Sequence, residues 1–358
     1  MPPRRPPGSH LYSDVIRSAL EREIAGQRRA VNSVVRGVTR AVGGLVPREG
    51  PLCAYMFMGP TGTGKTHLVR TLAQTLHGDE RGLVVADCTH FAQGDPWLAF
   101  VRQLAPLFVV PRMGSKWAVL DTPPLSIILV EYLERGRPEV AKALTAALET
   151  GHLTLPEGRQ GSLRNCLVFI TSSLCSREIL EQGPGIGFAG SQGEEAEDNL
   201  QRLYKLCSSA AQEQFGGDLL GRLDGLITFD RLQEDHLSEI LDRLVRAMNG
   251  WLARRGFCCE LLSESRAFLL ERGRADLRLG ARDLVRAHRR FVEFPVADLL
   301  ISGRIPTGAR VLVDRKPGEE HLHFTVECGR PEPSSTASDD APREIPVAWD
   351  DDFPVAVH

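Results

Sequence analysis

The chain has 358 residues, of which 42% are hydrophobic and 25% are charged, and its formal net charge is −3. This composition is typical of a soluble globular protein, and the length allows one large domain and a smaller one. The small net charge gives no general attraction to nucleic acid, and no apolar run is long enough to span a membrane. We therefore expect neither nucleic acid nor a membrane as a partner.

The cysteines and the N-terminal segment indicate the cellular compartment. The eight cysteines are scattered along the chain without a C-x-x-C pair, and several lie in apolar runs, where a reduced cysteine packs as a small hydrophobe. The basic segment 1–8 lacks the apolar stretch of a secretory signal. These features predict a reducing, cytoplasmic environment.

Helical and apolar segments alternate through the first two thirds of the chain. Residues 14–41 have the apolar spacing of a helix, with a break at Gly26. Five short apolar runs follow, at 53–58, 83–86, 126–130, 166–171 and 226–229. Because helical or long connecting segments separate these runs, we predict an α/β fold, in which helices cover both faces of a parallel five-stranded sheet in three layers.

A phosphate-loop pattern directly follows the first apolar run. Residues 59–66 read Gly-Pro-Thr-Gly-Thr-Gly-Lys-Thr, which is a complete G-x-x-x-x-G-K-[ST] motif. The glycines let the backbone fold tightly, so that N–H groups and the next helix N-terminus point at phosphate oxygens. Lys65 is expected to reach the β- and γ-phosphates, and Thr66 to bind Mg²⁺. The residues predicted to bind a nucleoside triphosphate are Pro60, Thr61, Gly62, Thr63, Gly64, Lys65 and Thr66.

The last third of the chain has a different pattern. From 232 to about 300 the apolar spacing is wholly helical, and two strand-like runs, 309–313 and 321–326, are expected to form a hairpin. Beyond residue 329, a stretch rich in Pro, Ser, Asp and Glu predicts disorder, because it cannot bury a core. The predicted organisation is a flexible basic arm, a large nucleotide-binding domain, a small lid domain and a disordered acidic tail, at 1–13, 14–231, 232–329 and 330–358.

Three more short motifs accompany the phosphate loop. Residues 24–27 read I-A-G-Q, residues 215–224 read F-G-G-D-L-L-G-R-L-D, and residues 279–282 read L-G-A-R. With the phosphate loop and the helical region behind it, they resemble the AAA+ module of the Clp chaperone and unfoldase family. The resemblance is to the second ATPase module of two-ring members, and it covers about residues 14–315.

The resemblance implies ATP and Mg²⁺ as ligands and an AAA+ P-loop fold with a small helical lid. It implies that Ile24 lies in the box that encloses the adenine, and that Arg282 is the sensor on the lid. Arg222 corresponds to the arginine finger that one subunit sends to the γ-phosphate of its neighbour. Because a finger of this kind acts only in an oligomer, a hexameric homo-oligomer is expected, or a hetero-ring with related subunits.

The third strand departs from the family. In the family, four apolar residues precede Asp-Glu, in which the Asp holds Mg²⁺ through water and the Glu polarises the attacking water. Here Glu131 takes the Asp position and Tyr132 the Glu position, which makes a degenerate Walker B motif. A glutamate can still approach Mg²⁺, whereas a phenol keeps its proton at neutral pH and is a poor base. One alternative stays open: a one-residue shift would make Glu131 the base and place Val130 at the metal position.

The fourth strand also departs from the family, which ends it in T-S-N with the Asn orienting water. Here it ends in Ser173, which can still hydrogen-bond but has a shorter reach. The predicted catalytic residues are therefore Glu131, Ser173 and Arg222, and the predicted metal ligands are Thr66 and Glu131.

Two loops bear on protein partners. The family's pore-loop tetrapeptide G-Y-V-G is absent from 91–125, where Phe108 either grips an extended polypeptide or packs in the interior. Ile186, Gly187 and Phe188 resemble the tripeptide with which Clp unfoldases dock onto a ClpP-like peptidase, unless Phe188 packs back onto its own domain.

Three functions remain open from the sequence. The first is a ring-forming module that binds ATP, hydrolyses it slowly or not at all, and acts in assembly or regulation. The second is an active ATP-driven unfoldase or chaperone with a protein client. The third is a monomeric nucleotide-binding adaptor.

Overall fold

The computed structural model describes residues 9–44, 50–90, 96–104, 125–154, 160–181, 194–274, 279–316, 318–327 and 343–345. Contacts divide the chain into two units, Met1–Arg231 and Leu232–His358. No helix among these described residues is both long and apolar enough to cross a membrane.

Two helices open the first unit, α1 (Ser9–Glu23) and α2 (Arg28–Val42). They confirm the predicted helical segment and its break, where Gly26 has a φ of 70° that favours glycine. The start of α1 differs from the prediction, because residues 9–13 were assigned to a flexible arm. The prolines of that arm end at Pro7, so nothing in 9–13 prevents the helix from extending towards the N-terminus.

The predicted parallel sheet is confirmed. The strands of the first unit are β1 (Cys53–Met58), β2 (Leu83–Asp87), β3 (Ser126–Glu131), β4 (His152–Thr154), β5 (Gln160–Ser162), β6 (Cys166–Ser172) and β7 (Gly225–Thr228). Five of them form the sheet, in the order β2-β3-β6-β1-β7, and every neighbouring pair is parallel. The short antiparallel pair of β4 and β5 was not predicted.

Helices cover both faces of this sheet. Besides α1 and α2, they are α3 (Lys65–His77), α4 (Pro96–Leu104), α5 (Pro138–Thr150), α6 (Ser176–Glu181), α7 (Glu194–Phe215) and α8 (Gly217–Leu220). Alternate residues of each central strand enter opposite apolar clusters: Ile128 packs with α5 and α7, whereas Ile127 packs with α1, α2 and α3. This arrangement is the predicted three-layer architecture.

The second unit is helical with a four-stranded sheet. Its elements are α9 (Glu234–Ala253), β8 (Cys258–Leu261), α10 (Ser263–Gly273), α11 (Arg282–His288), α12 (Phe294–Ile301), β9 (Arg310–Asp314), β10 (His323–Glu327) and β11 (Arg343–Ile345). The predicted hairpin is confirmed as the antiparallel pair of β9 and β10.

Two strands of this unit depart from the prediction. The first is β8, which lies in a region predicted to be wholly helical and pairs in parallel with β9. The second is β11, which lies in the tail predicted to be disordered and pairs antiparallel with β10. Both strands are short and gain their backbone hydrogen bonds from a distant partner, so local composition does not reveal them.

Candidate nucleotide site

Three predicted site segments meet at one edge of the parallel sheet. The order of the strands makes β6 the neighbour of both β1 and β3. The phosphate loop 59–66 follows β1, Ser173 follows β6, and Glu131 ends β3. Because ligands of open α/β sheets bind at the carboxyl ends of the strands, this edge is the candidate nucleotide site.

Glycines permit the fold of the phosphate loop. Gly59, Gly62 and Gly64 have φ values of 136°, 73° and 102°, in the region that side chains strongly disfavour. At Gly59 space is lacking too, since a Cβ atom would lie 2.5 Å from the carbonyl oxygen of Phe229. Gly64 is also the residue before α3, so the loop leads directly into a helix N-terminus.

Lys65 is buried at the first position of α3. Its Nζ donates hydrogen bonds to the carbonyl oxygens of Gly59 at 2.6 Å and Pro60 at 2.7 Å. The hydroxyl of Thr63 donates to the same Pro60 oxygen at 2.8 Å. An ammonium group is a charged donor, so Lys65 suits an anion such as phosphate.

The next residue joins the loop to β3. The Thr66 hydroxyl donates a hydrogen bond to Oε1 of the Glu131 carboxylate. Hydroxyl and carboxylate oxygens are the ligands that Mg²⁺ prefers, so this pair fits a magnesium ion. The preceding Val130 is fully buried in an apolar cluster, and this argues against the one-residue shift that would put it at the metal position.

Tyr132 stands immediately beyond β3 in an uncommon backbone conformation, with a φ of 54°. Its backbone N–H donates to the Thr171 hydroxyl at 3.2 Å. The guanidinium carbon of Arg135 lies 5.0 Å from the centre of the Tyr132 ring, a cation–π distance. The ring therefore contacts a cation and directly follows Glu131, the residue that meets the phosphate loop.

Ser173 contacts a carboxylate that the sequence prediction did not select. Its backbone N–H donates to Oε1 of Glu134 at 2.9 Å, and its hydroxyl donates to the same oxygen. The other oxygen, Oε2, is buried without a hydrogen-bond partner among the described residues. The signal for Glu134 was present, because residues 134–138 match the family's E-K-A-H-P in their first and last residues.

Arg222 lies in the turn after α8 and pairs with another missed residue, Glu149 at the end of α5. Its Nη2 is 2.6 Å from Oε1 of Glu149. The turn is tied to β1, because the N–H of Ala54 donates to Oδ2 of Asp224 at 2.8 Å and the N–H of Asp224 donates to the Ala54 carbonyl at 2.7 Å. The structure thus joins Thr66 to Glu131, and pairs Ser173 and Arg222 with other carboxylates.

The predicted adenine box lies between α1 and α2. Ile24 is 6% exposed and belongs to the apolar cluster beneath these helices. Gln27 is 2% exposed, and its amide donates to the carbonyl of Asp230 at 2.8 Å and accepts from the Asp230 N–H at 3.0 Å. Burial raises the pKa of the Asp230 carboxyl, and the charge of Arg29 opposes that shift. The box is therefore fixed to the segment that follows β7.

The remaining predicted residues belong to the second unit or to segments outside the described residues. Arg282 is the first residue of α11 in the second unit, directly after the L-G-A of its motif, and its contact with nucleotide stays a prediction. The positions of Phe108 and of 186–188 fall outside the described residues.

Comparison with known proteins agrees with this geometry. Residues 50–226 match the family model "AAA domain (Cdc48 subfamily)", and residues 232–313 match the model "C-terminal, D2-small domain, of ClpB protein". The chain belongs to the Clp family of AAA+ proteins. The match to the second model confirms the resemblance to a second ATPase module.

Two curated relatives in this family are similar over most of the chain. "Chaperone protein ClpB" of Aquifex aeolicus is 32% identical over 305 residues, which are 84% of this chain and 29% of that protein. "ATP-dependent Clp protease ATP-binding subunit ClpC" of Staphylococcus aureus (strain USA300) is 28% identical over 312 residues, which are 87% of this chain and 37% of that protein. The chain thus spans about a third of the length of these relatives.

Proposed function

We propose that this Clp-type AAA+ module binds ATP with Mg²⁺, assembles into a ring when ATP is bound, and hydrolyses ATP slowly or not at all. The observation that carries the proposal is the contact of Thr66 with Glu131 beside Tyr132. The groups that suit phosphate and metal are in place, while the position of the catalytic base holds a phenol. Absence of a positioned base costs about 10²- to 10⁴-fold in rate.

The geometry of the site suggests which residues would contact the nucleotide. Lys65 and the N–H groups around the loop would bind the phosphates, and Thr66 with Glu131 would hold Mg²⁺. The ion would supply positive charge that offsets the phosphate charge. Ser173 would accept a hydrogen bond from water, because its own hydroxyl proton is directed to Glu134. Ile24 would contact the adenine, and Arg282 would contact the nucleotide from the lid.

The proposal of a ring rests on Arg222, whose side chain is more than a third exposed on the first unit. We propose that it reaches the γ-phosphate held by a neighbouring subunit, either in a hexamer of this chain or in a hetero-ring with related subunits. ATP would then control assembly, because its γ-phosphate is shared between two subunits. A regulatory or assembly role fits such a module better than rapid turnover. The cytoplasmic location stays a prediction.

Two measurements on the full chain test the proposal. Sedimentation velocity with Mg²⁺ and either ATP or ADP should show a ring with ATP and smaller species with ADP. Steady-state phosphate release at saturating ATP should be far slower than typical enzyme turnover of about 10 s⁻¹. A monomer in both nucleotides would favour the third function, a monomeric adaptor. A ring with rapid phosphate release would favour the second, an active unfoldase.

An active unfoldase or chaperone is the second candidate function. It is favoured by the names of the two relatives, one a chaperone protein and the other an ATP-binding subunit of an ATP-dependent protease. Under this proposal the chain would act on a protein client, and the segment 186–188 would dock a ClpP-like peptidase. Binding of a purified ClpP-like peptidase that Phe188→Ala abolishes would support the docking.

A further inference from the structure

Arg222 contacts a carboxylate to which the resemblance assigns no role. Its Nη2 lies 2.6 Å from Oε1 of Glu149, 73 residues earlier in the chain. The two side chains are 42% and 53% exposed. Exposed ion pairs contribute little to stability, so the pair needs a reason other than holding the fold together.

The backbone around Arg222 is held independently of Glu149. The N–H of Gly221 donates to the Gly217 carbonyl at 2.9 Å, and the N–H of Arg222 donates to the Leu219 carbonyl at 3.1 Å. Fixing the backbone does not fix the guanidinium, because a long arginine side chain keeps many rotamers. A partner at its tip is needed to give the guanidinium one direction.

The position of Glu149 is unfavourable for its own helix. Glu149 is the residue before Thr150, where α5 ends, and the last turn of this helix holds no basic residue. A carboxylate at a helix C-terminus is repelled by the negative end of the helix dipole. Arg222, which lies outside the helix, supplies the compensating positive charge. The contact with Arg222 therefore accounts for a glutamate at this position, whereas the stability of α5 does not.

The geometry leaves Arg222 able to bind a second anion. A guanidinium is planar and has five N–H donors, and the contact with Glu149 uses Nη2. The remaining donors suit phosphate oxygens, which arginine binds through two parallel hydrogen bonds. We propose that Glu149 is a positioning residue, which holds the guanidinium plane of Arg222 for the γ-phosphate in a neighbouring subunit. This proposal rests on the proposed ATP-dependent ring.

The test compares full-length variants by sedimentation velocity with Mg²⁺ and ATP. Glu149→Gln keeps the size of the side chain but removes its charge, and Glu149→Asp keeps the charge. The matched control is Glu80→Gln, because Glu80 forms a comparably exposed ion pair with Arg70 in the same unit. Arg222→Ala and the double variant Glu149→Gln/Arg222→Ala complete the set. Melting temperature and the affinity of the monomer for a fluorescent ATP analogue are measured for each.

If Glu149 positions Arg222, Glu149→Gln raises the protein concentration needed for half-assembly by about fivefold, the upper range of an exposed pair. Glu149→Asp retains most of the assembly, Glu80→Gln assembles as the unmodified chain does, and the double variant is no worse than Arg222→Ala. For Glu149→Gln, melting temperature and monomer affinity stay unchanged, because the effect lies at the subunit interface. Normal assembly of Glu149→Gln, with weakened assembly of Arg222→Ala, overturns this inference alone. Failure of the unmodified chain to assemble with ATP overturns both proposals.

Discussion

The Thr66 hydroxyl donates a hydrogen bond to the Glu131 carboxylate, and this contact joins the phosphate loop to the end of the third strand. In the Walker B motif that we propose, Glu131 meets the loop and supplies an acidic oxygen. The next residue, Tyr132, supplies a phenol at the position that we propose for the catalytic base. Metal binding and water activation can therefore be tested separately.

Restoring the carboxylate at position 132 should restore hydrolysis. The backbone there is fixed by the hydrogen bond from the Tyr132 N–H to Thr171, which does not depend on the side chain. We expect Tyr132→Glu to raise steady-state phosphate release by about 10²- to 10⁴-fold. Tyr132→Gln is the control, because its amide has the same length and cannot act as a base. An equal increase in both variants would contradict a base at this position.

Removing the ammonium of Lys65 should weaken nucleotide binding. The Nζ is buried and donates to two neutral carbonyls, so an incoming phosphate would gain a charge-assisted partner. We expect Lys65→Ala to raise the Kd for a fluorescent ATP analogue by about 10- to 100-fold, the range for a hydrogen bond to a charged group. Lys142→Ala, on the exposed side of α5, should bind normally. Equal Kd values for both variants would contradict a role of Lys65 in nucleotide binding.

The buried amide of Gln27 should stabilise the first unit. It satisfies both the N–H and the carbonyl of Asp230, and removing it leaves two partly buried backbone groups without this partner. We expect Gln27→Ala to lower the free energy of unfolding by about 2–4 kcal/mol, measured by chemical denaturation. Gln74→Ala is the control, because exposed Gln74 bonds one carbonyl at the end of α3, and it should cost less than about 1 kcal/mol. Similar losses in the two variants would mean that the Gln27 contacts contribute no more than a surface bond.

The sequence predicted the sheet and the phosphate loop because both are local patterns. An apolar run of four to six residues predicts a buried strand, and the glycine spacing of 59–66 fixes a loop conformation. The pairing of Arg222 with Glu149 was not predictable, because it joins residues 73 positions apart through the packing of α5 and α8. The strand β11 was missed for the same reason, since its hydrogen bonds come from β10. Contacts that depend on tertiary packing leave no periodic signal.

The carboxyl of Asp230 should make the stability of the first unit depend on pH. Burial raises its pKa above the ordinary value of 3.8, so the folded state binds this proton more tightly than the unfolded state does. The charged form therefore costs stability, and this cost grows as the pH rises from the ordinary value through the raised one. Asp230→Asn should have a higher free energy of unfolding than the unmodified chain at about pH 7, and the difference should shrink towards about pH 4. Denaturant titrations across this pH range measure the difference in the free energy of unfolding. The control is Glu213→Gln, which changes an exposed residue of α7. If Asp230→Asn raises the free energy of unfolding by the same amount at every pH, the carboxylate charge is not the cause of the increase.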